Sequence, residues 1–225
     1  MRFFRPVLVG ARPFDRILAC LGAAVGIALT IVLCRELPLA RENLPIIVAP
    51  LGASAVLAFA VPASPLAQPW AVVGGNTLSA LAGVFAFRMI PDPMLAAGAG
   101  VGLAILVMSL CRCLHPPGGA AALTAVIGTP DIHAAGYYFA FAPVALNSIA
   151  LVSLAMLFHR LSRHSYPHVP LPAGDALQVS GFHLEDIDRA LADLPDSFDI
   201  SRADLDVLLS HAEAHARQRL KAAKN

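Results

Sequence analysis

Between Leu44 and Cys111 the chain carries only two formal charges, Arg88 and Asp92. A water-soluble fold cannot cover its surface with so few ionised groups, so this stretch must take lipid as its solvent. Hydrophobic residues make up 57% of the 225, charged ones 14%, and the ionised groups crowd toward the ends. From Gly174 onward Asp, Glu, Arg and His are dense. The formal net charge of +1 averages a neutral membrane half with a soluble half, and points to no nucleic-acid partner. The lipid bilayer is the first partner the sequence implies.

Six apolar segments follow: Ile17–Cys34, Ile46–Val61, Trp70–Ile90, Met94–Cys111, Pro117–Gly128 and Tyr137–His159. Arg2, Arg5, Arg12 and Arg16 precede the first, and Arg35-Glu36 after it offers no small-residue cleavage site. That pattern predicts a retained span with its basic flank in the cytoplasm, not a cleaved signal peptide. Four segments are long enough for a hydrocarbon core of about 30 Å. The short runs from Pro50 and from Pro117 rise only about 18 Å each as helices. Both start on Pro, which suits a first helical turn because its missing N–H has no partner there.

The two halves resemble each other in order. Val25-Gly26-Ile27-Ala28 matches Val101-Gly102-Leu103-Ala104, and Pro50-Leu51-Gly52-Ala53-Ser54-Ala55 matches Pro117-Gly118-Gly119-Ala120-Ala121-Ala122. Asn76-Thr77-Leu78-Ser79 matches Asn147-Ser148-Ile149-Ala150. If all three elements cross in each half, the second copy is inverted relative to the first, an arrangement common among transporters. The competing readings are chance likeness among Ala/Gly/Leu-rich helices, and four crossings with the two short pieces re-entrant. Either topology leaves both ends in the cytoplasm, in keeping with Arg160 and Arg163 after the last segment. The expected fold is therefore all-α: a polytopic membrane bundle with two short Pro/Gly-started helices, a 3+3 inverted repeat, and a small helical tail.

The stretch Leu114-His115-Pro116-Pro117-Gly118-Gly119-Ala120-Ala121-Ala122-Leu123 resembles the HPP family of membrane proteins, named after this triplet. The likeness extends to Ala49–Leu57, to Ser64-Pro65-Leu66-Ala67-Gln68-Pro69 and to Gly74-Gly75-Asn76, covering most of Ile17 to Arg160. The resemblance implies a membrane transport role, with plant-plastid and cyanobacterial relatives associated with nitrite movement. One departure matters: the family often places His after the Gly-Gly pair, where this chain has Asn76. Further on, Asp199–Leu205 resembles the connector that leads, in many bacterial members, to a tandem CBS pair. The chain is accordingly divided into a transmembrane domain at 1–163 and a cytoplasmic tail at 164–225, read as leading toward such a module. Its expected setting is the bacterial inner membrane. After a Pro-rich linker from Tyr166 to Pro172, the tail predicts a helix at Leu184–Leu194 and a second beginning near Ser201, capped with Asp204. The apolar face of that second helix, Leu205, Leu208, Leu209 and Ala212, calls for a further domain, the bundle, or a second copy in a homodimer.

Physics supplies the resemblance with a mechanism. A helix starting inside the membrane leaves about four backbone N–H groups unpaired and presents roughly half a positive charge. Pro50, Gly52, Ala53 and Ser54 at one start, with Pro117, Gly118, Gly119 and Ala120 at the other, form an expected cradle for a small inorganic anion. Gly75 belongs to the same expected site, and Asn76 and Asn147 would each add an amide donor. His115, held extended by the proline after it, either caps the fourth segment or faces the pathway. The bland alternatives are close helix packing at the glycines, Gly22, Gly26, Gly98, Gly100 and Gly102 above all, and interhelical hydrogen bonds at the asparagines. Cys111-x-Cys113 lacks a second pair and His115 lacks neighbours at ligand spacing, so neither metal nor cofactor is expected. The membrane half is nearly devoid of titratable groups, which argues against catalysis there. The readings carried forward are an anion transporter or channel and, alternatively, a membrane-anchored sensor coupled to a cytoplasmic domain.

Overall fold

In lipid each backbone N–H and C=O must be satisfied within its own segment, so an apolar run has helix as its route across. A computed structural model describes residues 13–36, 43–162, 165–169, 184–193 and 200–222, and every apolar segment is helical in it. The helices are α1 (Pro13–Arg35), α2 (Pro50–Ala60), α3 (Pro69–Met89), α4 (Pro93–Leu110), α5 (Pro116–Ile127), α6 (Pro130–Ala135), α7 (Leu146–Ser162), α8 (Leu184–Ala192) and α9 (Arg202–Ala222). Four stretches are long and apolar enough to cross a membrane: Phe14–Arg35, Pro69–Met89, Pro93–Leu110 and Ala140–Ser162. These are the four long segments expected. The short ones fold as helices of 11 and 12 residues, α2 and α5.

Two local features depart from the expected set. The single segment Tyr137–His159 is broken at Ala142, whose extended backbone (φ −132°, ψ 111°) precedes Pro143. A residue before proline is driven out of the helical region, so the chain makes a wide turn before α7 begins. The six-residue α6 is an addition that the apolar periodicity does not signal.

The ends of α4 show how the chain is steered. Asp92 caps its start, accepting from the backbone N–H groups of Met94 and Leu95 at 3.0 and 2.9 Å. At its end Cys113 N donates to Met108 O at 2.9 Å and Arg112 N to Ser109 O at 3.2 Å. Arg112, at φ +53°, occupies the left-handed position usually given to glycine. That turn leads the chain to His115, which is buried.

α3 is the most enclosed of the long helices, while α1 and α4 are peripheral. Ile17, Leu21 and Val25 of α1 and Leu95, Ile105 and Leu106 of α4 stay exposed, as side chains facing lipid should. α5 runs alongside α3 in the same direction, with Gly75 beside His115 and Gly83 against Ala122. α4 runs opposite to both, with Gly100 beside Gly83 and Met108 beside Gly75. α2 runs alongside α7 in the same direction, held at Val48 by Asn147 and at Ala58 by His159. Gly22, Gly26 and Gly100 do serve packing, meeting Phe158, Phe59 and Val126 respectively. Gly98 and Gly102 do not: nothing lies within 4 Å of where their side chains would start.

The described residues fall into two compact units, one holding α1 to α7 and the other holding Ala63–Pro65, His168 and the tail helices. In the tail unit Ser201 caps α9, its hydroxyl accepting from Asp204 N at 3.1 Å. Asp204 in turn pairs with His168 at 2.8 Å, and Arg202 pairs with Asp188. Leu208 of the apolar face is exposed, while Leu205 and Leu209 are half-buried.

Candidate functional site

Four side chains from four elements meet inside the bundle, all buried: Ser54 of α2, Asn76 of α3, His115 at the start of α5, and Ser148 of α7. His115 Nδ1 lies 2.8 Å from the Leu66 carbonyl, which can only accept, so that nitrogen carries a hydrogen. In the neutral ring Nε2 is then an acceptor. The Ser54 hydroxyl, 2.8 Å away, donates to it in preference to Pro50 O at 3.3 Å. Asn76 Nδ2 donates both its hydrogens, to Ser54 Oγ at 3.1 Å and to Ser148 Oγ at 3.2 Å. Ser148 passes its own hydrogen to Val144 O at 2.9 Å. The chain of bonds therefore has one direction, from the amide through the serine to the histidine ring.

It leaves two atoms over. Asn76 Oδ1 and, one turn along α3, Ser79 Oγ are buried without a hydrogen-bond partner. Such groups are uncommon in folded proteins and costly in an apolar interior, so each marks a place where a partner is wanted.

Glycines allow the elements to come this close. A side chain at Gly75 would begin 2.6 Å from His115 Cβ and 2.7 Å from Cys113 O. One at Gly118 would begin 2.6 Å from Ser79 Oγ and 3.0 Å from Gly75 O. Pro117 is buried in the same contact. Of the expected site residues, then, Ser54, Gly75, Asn76, His115, Pro117 and Gly118 come together, and Pro50 is buried at the start of α2.

The remaining ones do not join them. Asn147 binds the chain entering α2, accepting from Val48 N at 3.1 Å and donating to Ile46 O at 2.9 Å. It is not a second donor beside Asn76. Gly52, Ala53 and Ala120 lie on exposed faces, and Gly119 is half-buried, with Val101 as its nearest neighbour. The backbone cradle also needs correction. Leu51 N and Gly52 N turn back onto Val48 O and Ala49 O at 3.0 Å each, and Gly118 N onto His115 O at 2.8 Å. Pro116 and Pro117 have no N–H to offer. The two helix starts thus keep few donors for a ligand, and the polar groups available to one are side chains.

Sequence reasoning passed over Ser79 and Ser148, which differ little from the many helix-packing serines of membrane segments. It also passed over two histidines that close the far ends of the short helices: His159 Nε2 donates to Ala58 O at 2.8 Å and His133 Nε2 to Val126 O at 3.0 Å. A histidine inside an apolar run, as in Leu157-Phe158-His159, signals that a partner is needed but not which carbonyl supplies it.

Chemically the cluster is a hydrogen-bonding site without fixed charge. Ser54 and His115 have the spacing of a nucleophile and its base, but the far ring nitrogen is held by a carbonyl and not by the carboxylate that stabilises an imidazolium in hydrolases. Among the described residues no three or more His, Cys, Asp or Glu side chains converge as metal ligands would.

Fold and site together define a multi-pass integral membrane protein with half-length helices meeting at a buried, uncharged polar cluster. The chain belongs to the HPP family, matching its transmembrane region over residues 10–167. It is 35% identical over 130 residues to a transmembrane protein of Dictyostelium discoideum, covering 56% of this chain and 45% of that protein. A second transmembrane protein of Dictyostelium discoideum is 32% identical over 152 residues, 65% of this chain and 48% of that one. The chain spans about half the length of these curated relatives. No solved structure matches it.

Proposed function

We propose that this protein is a transporter or channel for a small inorganic anion of the nitrite or nitrate class, recognised at the cluster of Ser54, Asn76, Ser79, His115 and Ser148. The observation that carries the reading is the unpartnered buried hydroxyl of Ser79, a donor set against Gly118 at the start of α5 and one turn from Asn76, whose own unpartnered atom is an acceptor. Buried polar groups in a membrane protein cluster where solutes pass, because elsewhere lipid penalises them. Hydroxyl, amide and imidazole groups without fixed charge suit a small monovalent anion that must leave as readily as it enters. The resemblance to nitrite-associated relatives narrows the solute class.

Helix directions support a repeat of the two halves, which we take to be inverted. Under exchange of α1, α2, α3 with α4, α5, α7, each short helix runs parallel to the third long helix of the other half. We place both termini in the cytoplasm of a bacterial inner membrane, in keeping with Arg16 before the first span and Arg160 at the end of the last. We assign it no catalytic role. A second reading, a membrane-anchored sensor, draws support from the separate compactness of the tail unit. A homodimer through that tail belongs with the same reading.

The test is uptake of nitrite, nitrate, formate and chloride into liposomes holding the purified protein, against protein-free liposomes. We expect at least one oxyanion to enter well above background, and Ser54→Ala to slow it at least tenfold. Folded protein that moves none of the four would remove the transport reading and leave the sensor.

A further inference from the structure

The one-way chain of hydrogen bonds from Asn76 to His115 can be reversed, and reversal changes what it offers a solute. With a neutral ring, Nε2 accepts from Ser54, Ser54 accepts from Asn76 Nδ2, and the amide is left presenting its oxygen, a poor surface for an anion. Suppose Nε2 takes a proton. Nδ1 still donates to Leu66 O, and Nε2–H now donates to Ser54 Oγ. The single Ser54 hydrogen then has two acceptors in reach, Pro50 O at 3.3 Å and, once the amide rotates half a turn so that Oδ1 replaces Nδ2, Asn76 at 3.1 Å, and the switch takes the nearer. Ser148 takes part in the same exchange by turning its hydrogen from Val144 O to Asn76 Oδ1. The two Asn76 N–H donors now point where the unpartnered oxygen had been.

We propose that His115, Ser54 and Asn76 form a proton-coupled switch, so that the anion is bound and carried together with a proton. This rests on the anion-transport reading. An imidazolium alone in an apolar interior is costly, and an anion alone against a carbonyl oxygen is costly; together they are a neutral pair with their hydrogen bonds made. The groups facing His115 are the Ser54 hydroxyl from α2, the Leu66 carbonyl from the turn before α3, and the backbone of α3 at Gly75. None of these titrates. In its own stretch Cys111 and Arg112 are exposed and Cys113 is buried, so no carboxylate there substitutes for the anion. The balance is simple: the Nε2 lone pair takes a proton from water on the loading side, and on release both proton and anion pass to water on the other side, with no net charge moved.

Electroneutrality gives the test. Liposomes holding the protein are loaded with a pH dye and offered nitrate, whose conjugate acid is too strong to leak through lipid unaided, and in parallel nitrite, corrected for protein-free leakage. An acid-outside pH gradient at clamped zero potential should drive uptake with interior acidification; an inside-positive potential at equal pH should drive at least tenfold less. His115→Gln, which can still donate to Leu66 and accept from Ser54, should lose at least tenfold of the pH-driven uptake. Uptake driven by potential and indifferent to pH would overturn the coupling while leaving the transport reading intact, and this wild-type comparison decides even if the variant misfolds. Wild-type pH-driven uptake in a folded His115→Gln would also overturn it. Movement of neither anion under either drive would remove both readings together.

Discussion

Gly83 and Gly52 are both helical glycines of this membrane domain, and their surroundings are opposite. A side chain at Gly83 would begin 2.2 Å from Ala122 O and 2.8 Å from Ala122 Cα, both backbone atoms that cannot turn aside. At Gly52 nothing lies within 4 Å. Gly83→Ala should therefore force α3 and α5 apart at a cost of about 1–3 kcal/mol or more. Gly52→Ala should be neutral, or stabilising by up to about 1 kcal/mol through helix propensity. Thermal unfolding of the detergent-solubilised protein checks this; equal sensitivity at the two positions would contradict the packing described. Asn76 and Asn147 make the same point with amides. Both stand at matching places in the two halves, yet Asn147 spends both ends of its amide on the backbone of Ile46 and Val48, whereas Asn76 bonds only side chains and keeps an oxygen over. The residue type alone does not separate a latch from a ligand group; the partner does, and the partner of Asn147 is 99 residues away.

At the scale of elements, α2 and α5 have to end inside the protein without stranding their carbonyls. His159 and His133 supply the missing donors. His159→Phe keeps an aromatic ring but removes the N–H aimed at Ala58 O, and should cost about 1–3 kcal/mol, the range for a stranded buried acceptor. An unfolding midpoint equal to wild type would show that the bond contributes nothing. In the tail the start of α9 depends on pH. Burial works against the Asp204 carboxylate, but hydrogen bonds from Ser201 and His168 outweigh it and hold the group below its usual pKa. A carboxyl depressed in the folded state stabilises it at neutral pH, and that contribution is lost as pH falls through the folded value, below about 4. Amide exchange at the start of α9, corrected for intrinsic rates, should quicken as pH falls below about 4. Asp204→Asn should flatten the profile; an unaltered profile would contradict this role for the carboxylate. Much of this level was legible: the Pro-started short helices, the long spans and the Ser201 cap are local patterns of composition. The break at Ala142 was legible too, since Pro143 stands in plain view inside an apolar run, but hydropathy averages across it. The histidine caps were not, because a ring nitrogen and a distant carbonyl are paired only by the packing of helices.

For the whole molecule, the neutral centre of the sequence is the property everything else follows from. It forces helices, leaves the outer faces of α1 and α4 apolar, and brings side chains from four elements together in a buried uncharged cluster inside the bundle. The sequence pointed to Ser54, Asn76 and His115, but it shared the ligand donors between side chains and the backbone of the helix starts. The two prolines that strip α5 of those donors were readable from the outset; that the first N–H groups of α2 close onto their own turn was not. Moving the recognition chemistry onto side chains makes the account sensitive to a single replacement. The direct test is nitrate and nitrite flux into liposomes by the wild type and by Asn76→Leu, which keeps the approximate size of the side chain and removes its amide. Wild-type flux should exceed that of protein-free liposomes, and a variant with the same folded fraction should pass less than a tenth of it. A folded Asn76→Leu protein that passes the anions as fast as the wild type would place their path elsewhere and contradict the site.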